Sequence, residues 1–370
     1  RTRPRARTRS REPLTPLRSL GTYPRRGEAG HTLPARASRA YAQSASPRTR
    51  AATPRVCSTR TPSPLRECVG RSGETSFLRT SVFLPKSNTT KRAAMSGKAD
   101  ARALAVDRLF GVDSKTVLVT GGARGIGLMI AAGFVANGAT VYIASRDAAA
   151  CETTAAQLTS LGPGKCYGLA ADLGSEAGCV ALAKTFAERT DKLHVLVNNS
   201  GTSWGAPMAT HGEKGWDKTY ALNVKGVFFL TREMLPLLDA GSTKSDPARV
   251  INIGSIAGLR PQVFPTFSYD VSKAAVHHLT KKLADELADR RTFGGESITV
   301  NAVAPGYVPS QMSKQLEGYE QAKAIAESLP LRRKGNASDM AGVSLFLASN
   351  AGAWITGTVI HVDGGHLSKL

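Results

Sequence analysis

From Lys115 onward, short runs of β-branched and apolar residues alternate with longer stretches in which apolar residues recur at helical spacing. That alternation is the pattern of βαβ units feeding a parallel sheet. Seven strands are predicted, at Thr116 to Val119, Thr140 to Ala144, Lys165 to Leu169, Val195 to Asn198, Val250 to Ile253, Ile298 to Val303 and Val359 to Val362. The helical segments between them are Gly125 to Asn137, Ala148 to Leu161, Glu176 to Arg189, Lys218 to Leu238, Ser272 to Arg291 and Ala337 to Ala348. Right-handed crossovers join such units into one doubly wound α/β sheet with helices on both faces. There is no internal repeat and no composition break after Met95, so residues 95–370 are expected to form a single Rossmann-like domain.

Composition changes the picture upstream. Residues 1–94 hold 21 Lys or Arg against 4 Glu and no Asp, a net charge of +17 out of +21 for the whole chain, and 10 of its 19 prolines. With few aliphatic residues and no sustained apolar period, this basic Arg/Pro-rich segment cannot bury enough surface to offset the entropy of ordering, and disorder is expected. An Arg-rich, acid-poor stretch reads either as an organelle leader or, because the first methionine is Met95, as upstream translation that precedes the natural start. The first reading places the protein in mitochondria or plastids and the second in the cytoplasm. A nucleic-acid arm is a third reading, but the segment lacks the interleaved aromatics that stack on bases, so no nucleic-acid partner is expected. The five cysteines, Cys57, Cys68, Cys151, Cys166 and Cys179, show no metal-ligand spacing, so no metal is expected. No apolar run reaches the roughly 18 residues of a membrane span.

The first strand runs into Thr120-Gly121-Gly122-Ala123-Arg124-Gly125-Ile126-Gly127 and then an apolar helix, the context of a dinucleotide-binding turn. Gly121 permits the tight turn, Gly125 lets the backbone approach a pyrophosphate, and Gly127 lets the helix pack close, its positive end toward the phosphates. The second strand ends in Ala144-Ser145-Arg146-Asp147, at the point that meets the adenosine ribose. Arg146 stands where an acid would bind a free 2′-hydroxyl, and with Arg124 and the Ser145 hydroxyl it suits a 2′-phosphate, favouring NADP(H). Asp147, one position on, keeps NAD(H) open as the alternative. Asp172, followed by Leu173, could accept from the adenine amino group, and Asn199, Ser200 and Gly201 close the fourth strand beside the same crevice.

Tyr269 and Lys273 are four apart, which puts both on one helix face. A phenol titrates near 10, so acid/base work near neutrality needs an adjacent positive charge, and Lys273 is expected to lower it. Ser255 follows the fifth strand at the carboxyl edge, where open α/β sheets bind ligands, and its hydroxyl could hold a substrate oxygen.

Taken in order, Thr-Gly-x-x-x-Gly-x-Gly, Asn-Asn-x-Gly, Asn223, Ser255 and Tyr269-x-x-x-Lys273 resemble the short-chain dehydrogenase/reductase family over Lys115 to Gly365. The resemblance implies that Asn223 holds a water linked to Lys273, Ser255 orients a carbonyl, Tyr269 transfers the proton, and Lys273 also binds the nicotinamide ribose. It further implies nicotinamide contacts from Pro305, Gly306 and Val308, with Ser310 at the carboxamide or phosphates. Two departures are visible: Ser200 stands where alanine is usual, and the Ser255 to Tyr269 interval is one residue longer than the commonest. That spacing and Pro305-Gly306-x-x-Pro309-Ser310-x-Met312 look like the 3-oxoacyl-thioester reductases of rhamnolipid synthesis. NADPH-dependent reduction of a 3-oxoacyl thioester is therefore the leading expectation, with an acyl carrier protein as a candidate partner and a homodimer or homotetramer as the assembly. A sugar, steroid or secondary-metabolite ketone is the alternative, and a non-catalytic NADP-binding regulator the more distant one. Residues 310–331 are expected to form a lid, with Met312, Leu316, Tyr319, Ile325 and Leu329 suited to an acyl chain.

Overall fold

A computed structural model describes residues 101–314 and 327–368. The expected disorder of residues 1–94 lies outside these residues, as do Leu316, Tyr319 and Ile325 of the anticipated lid. All described residues fall in one compact unit and share one sheet.

A short helix α1 (Val106–Phe110) precedes β1 (Thr116–Thr120), α2 (Gly125–Ala136), β2 (Thr140–Ser145), α3 (Ala148–Thr159), β3 (Lys165–Ala170), α4 (Glu176–Ala187) and β4 (Val195–Asn198). The second half runs through α5 (Glu213–Tyr220), a π-helical turn (Ala221–Lys225), α6 (Gly226–Glu233), α7 (Leu235–Gly241), β5 (Ala248–Ile253), α8 (Phe267–Glu286), β6 (Ile298–Pro305), α9 (Gln311–Lys314), α10 (Ala337–Ala348) and β7 (Val359–Val362). The seven strands are all parallel, in the order β3-β2-β1-β4-β5-β6-β7. The strand order reverses between β1 and β4, which opens a crevice at their carboxyl ends.

Alternation along each strand supplies two cores. Val117, Val119, Val141, Ile143, Val195 and Val197 meet Ile130 and Phe134 of α2 and Leu347 of α10 on one face. On the other, Leu118, Leu196, Val250 and Val300 meet Phe186 of α4, Leu230 of α6, Leu238 of α7 and Leu283 of α8. Each fully buried side chain of this size contributes about 1.5–3 kcal/mol. Central strands are therefore buried along their length and mostly apolar, as in β1, where all five residues are buried and Val117, Leu118 and Val119 lie between two threonines.

Two helices differ from expectation. The single helix anticipated over 218–238 begins at Glu213 and is divided by the π-helical turn and by Pro236, which lies in the first turn of α7. Proline offers no N–H to the preceding turn, so the chain restarts there as a new helix. The helix anticipated from Ser272 starts at Phe267 and so contains Tyr269, and it ends at Glu286 instead of Arg291. Beyond that end, Arg290 turns inward and donates to both carboxylate oxygens of Asp239, at 3.0 and 2.8 Å. Among the described residues no helix is long and apolar enough to cross a membrane.

Candidate active site

At the end of β1 the Thr120 hydroxyl accepts the Asn199 and Ser200 N–H groups, each at 2.9 Å. The Asn199 amide donates to the carbonyls of Thr120 and Gly121, at 2.8 and 3.3 Å, so the ends of β1 and β4 are stitched together. Gly121 and Gly125 sit at φ +65° and +55°, conformations that favour glycine. A Cβ on Gly127 would lie 2.3 Å from the Gly121 carbonyl oxygen, so α2 can close on the turn only without a side chain there. A Cβ on Gly125 would lie 3.4 Å from that of Ser310, which places Ser310 across the crevice from the glycine turn. The amino end of the 12-residue α2 thus opens into a site suited to phosphate.

Three adjacent residues at the end of β2, Ser145, Arg146 and Asp147, line the crevice. Asp147 caps α3, its carboxylate accepting the Ala150 N–H at 3.0 Å, so it is committed to the helix. Ser145 is held by its own turn: its hydroxyl donates to the Asp147 carbonyl at 3.2 Å and lies 3.1 Å from the Cys151 sulfur. Arg124 and Arg146 are exposed, line the crevice and make no ion pair among the described residues. Asp172, one oxygen of which accepts the Gly174 N–H at 3.1 Å, follows the end of β3 with Leu173 behind it.

The crevice continues as one cavity of about 1040 Å³ whose lining includes Ile126, Gly201, Pro305, Gly306, Val308 and Ser310 from the anticipated cofactor set, and reaches Ser255, Tyr269 and Lys273. Ser255 follows β5 and caps a 3₁₀ turn (Ile256–Gly258), its hydroxyl accepting the Ala257 N–H at 3.1 Å. Tyr269 and Lys273 project from α8. The Lys273 ammonium donates to the Ile253 carbonyl at 2.7 Å and stands 5.6 Å from the centre of the Tyr269 ring. Lys273 is 5 % exposed, and burial lowers its pKa to about 8. The expectation that Lys273 acidifies Tyr269 is corrected: burial raises the phenol above its ordinary value, and the opposing influence is a hydrogen bond with Ser255.

Asn223 lies in the π-helical turn, where the extra residue redirects it inward. Its amide donates to the Thr202 carbonyl at 2.9 Å and the Ser272 hydroxyl at 3.0 Å, and its oxygen accepts the Thr202 N–H at 2.8 Å. A Cβ on Gly201 would lie 3.4 Å from that oxygen and 3.7 Å from the Lys273 nitrogen, so Gly201, Asn223 and Lys273 converge. The Asn223 side chain is thereby occupied by protein groups and anchors the loop after β4.

One wall was missed in the sequence. Gln262, Phe264, Thr266 and Asp270 line the cavity. Asp270 accepts the Gln262 N–H at 3.1 Å and the Thr266 hydroxyl at 2.9 Å, tying loop to helix. The available signal was an acid immediately after Tyr269, in the first turn of a helix. Of the anticipated lid, Met312 lines the cavity, while Leu329 is buried and Leu331 exposed. Among the described residues no three His, Cys, Asp or Glu side chains gather into a metal site.

A family model described as enoyl-(acyl carrier protein) reductase matches residues 121–366. The chain is 45 % identical over 257 residues to the rhamnolipids biosynthesis 3-oxoacyl-[acyl-carrier-protein] reductase of Pseudomonas aeruginosa, covering 69 % of this chain and 97 % of that protein. It is 34 % identical over 299 residues to the short-chain dehydrogenase/reductase PhomF of Diaporthe leptostromiformis, covering 74 % and 98 %. Among solved structures it resembles the Pseudomonas aeruginosa RhlG/NADP active-site complex, with a TM-score of 0.65 and 44 % identity, covering 70 % of this chain and 98 % of that one.

Proposed function

The chain belongs to the short-chain dehydrogenase/reductase family, and from that premise we propose that it reduces a 3-oxoacyl thioester to its 3-hydroxyacyl form with NADPH. The observation that carries this reading is the hydrogen-bonded pair of Ser255 and Tyr269 beside the Lys273 ammonium, in the same cavity as Arg124 and Arg146, which make no ion pair among the described residues.

The chain fits the cofactor on its own residues. Gly121, Gly125, Ile126, Gly127 and Ser310 receive the pyrophosphate, Ser145 with Arg124 and Arg146 the 2′-phosphate, and Asp172 with Leu173 the adenine. Asn199, Ser200 and Gly201 carry the middle of the groove, and Pro305, Gly306 and Val308 the nicotinamide end. When bound, the dihydronicotinamide supplies the hydride. Tyr269 donates its phenolic proton to the carbonyl oxygen, on which negative charge builds as the carbon is reduced. Ser255 hydrogen-bonds the same oxygen and favours the phenolate that Tyr269 leaves behind. Lys273, held by Ile253, places its charge beside that phenolate and its remaining donors toward the nicotinamide ribose. Asn223 fixes the loop that faces Lys273, and solvent returns the proton to Tyr269.

Two similarities point to the thioester: the Pseudomonas relative named for that substrate, and the apolar Phe264 and Met312 in the cavity wall. An acyl carrier protein is the partner such a substrate would bring, and a homodimer or homotetramer the assembly we infer. Purified enzyme should consume NADPH with 3-oxoacyl thioesters and leave 2-enoyl thioesters untouched. Turnover of enoyl and not oxoacyl thioesters would overturn the assignment.

A further inference from the structure

α8 carries a third side chain on the stripe that holds Tyr269 and Lys273. His277 follows Lys273 by four residues and Tyr269 by eight, so the three stack along one helix face. His277 is 5 % exposed, and its Nε2 accepts the Ser255 N–H at 3.4 Å. The ring also lies beside the Gly258 backbone, although its Nδ1 is buried and makes no hydrogen bond among the described residues. One imidazole therefore holds the Ser255 end of the turn by a hydrogen bond and packs beside its Gly258 end.

The glycines around that turn show how close the approach is. A Cβ on Gly254 would lie 2.1 Å from His277 Nε2, and one on Gly258 would lie 2.5 Å from the Ala274 nitrogen. Both contacts would force the turn off α8. Burial, with Lys273 and His361 nearby, keeps the His277 pKa at about 4, so the ring is neutral near pH 7. A neutral imidazole that accepts at Nε2 carries its proton on Nδ1, which faces the Gly258 end of the turn and makes no hydrogen bond among the described residues. Because the Ser255 hydroxyl also accepts the Ala257 N–H within this turn, a shift of the turn moves the hydroxyl.

We propose that His277 is a positioning residue: by clamping the Ser255–Gly258 turn to α8, it sets the Ser255 hydroxyl against the Tyr269 phenol. This inference rests on the roles given to Ser255 and Tyr269 above. A leucine would fill much of the ring's volume and leave the Ser255 N–H without this acceptor, whereas a glutamine oxygen can reach it. An asparagine reaches only as far as Nδ1 does, toward Gly258.

The test uses the full chain with NADPH and a 3-oxoacyl thioester, with cofactor affinity read by fluorescence titration. His277→Leu should lower kcat by roughly 10- to 100-fold, the scale of a misplacement of about 1 Å, with NADPH affinity unchanged. His277→Gln should recover most of the loss and His277→Asn should not. In a Ser255→Ala background, adding His277→Leu should cost no more than about threefold, because the two changes remove one shared effect. Parental turnover in His277→Leu, or a full loss repeated in the Ser255→Ala background, would overturn the proposal. If His277→Leu does not fold, the Gln and Asn variants decide, and equal rates for those two overturn it. Tyr269→Phe and Ser255→Ala run in parallel separate the outcomes. Full activity in those two refutes the reading of the site, whereas their loss beside an unaffected His277→Leu refutes this inference alone.

Discussion

Replacing Arg146 by Asp should convert the cofactor preference. Arg146 and Arg124 are the exposed guanidiniums of the crevice, neither paired with a carboxylate among the described residues, and Asp147 beside them is committed to capping α3. A charge-assisted hydrogen bond contributes about 1.5–3 kcal/mol, and solvent exposure puts this one at the lower end. A new carboxylate about 4 Å from the 2′-phosphate adds about 1 kcal/mol of repulsion in a water-like medium. The sum, about 3 kcal/mol, corresponds to roughly a 100-fold loss of NADPH affinity. NADH has no phosphate there to lose, and its free 2′-hydroxyl can donate to the new acid. Dissociation constants for both cofactors, measured by fluorescence at low and at 1 M salt, should show the NADPH loss and its reduction by screening. Asp147→Ala is the control: it should lower stability by about 1 kcal/mol through the lost cap and leave the NADPH/NADH ratio alone. Equal weakening of both cofactors by Arg146→Asp, or a change of ratio in Asp147→Ala, would refute the allocation of these residues.

Two further outcomes follow from burial and from composition. Lys273 has a folded pKa of about 8 against an ordinary 10.5, so between those values the unfolded chain binds more protons and stability rises with pH. The cost of burying the charge, on the order of 3 kcal/mol, is therefore fully present below about pH 8 and relieved toward pH 10.5. The stability advantage of Lys273→Met should fade across that window in urea unfolding, and a pH-independent difference would contradict the assignment. A chain beginning at Met95 should keep cooperative unfolding and parental turnover, because every cofactor and catalytic residue assigned here lies in the described residues, and loss of either would refute this.

The strands were legible because a parallel sheet covered on both faces demands continuous apolar runs, and β1, β4 and β5 are buried along their whole length. The glycine turn was legible for a related reason, since its backbone conformations and close approaches exclude other residues at Gly121, Gly125 and Gly127. The division of α5 from α6 was not, because the π-helical turn is held by distant partners: the Asn223 amide bonds Thr202 and Ser272. Adjacent charges were equally ambiguous on paper. Asp147 and Arg146 differ by one position and both line the crevice, and only the cap to Ala150 shows that the Asp147 carboxylate is engaged by α3. The phenol of Tyr269 illustrates a deeper limit, because its helical spacing from Lys273 can be read from the sequence while the burial that raises it and the Ser255 hydrogen bond that opposes this cannot. The loop at Gln262 to Thr266 was overlooked because its anchor, Asp270, bonds it across intervening residues with no periodic signal.

The most direct test is turnover of Tyr269→Phe. The substitution keeps the ring and its packing and deletes the one proton that neutralises the carbonyl oxygen as hydride arrives. The account predicts unchanged folding and NADPH affinity, with ketone reduction slowed by about 100-fold or more. A Tyr269→Phe enzyme that binds NADPH normally and reduces its ketone at the parental rate would contradict the mechanism.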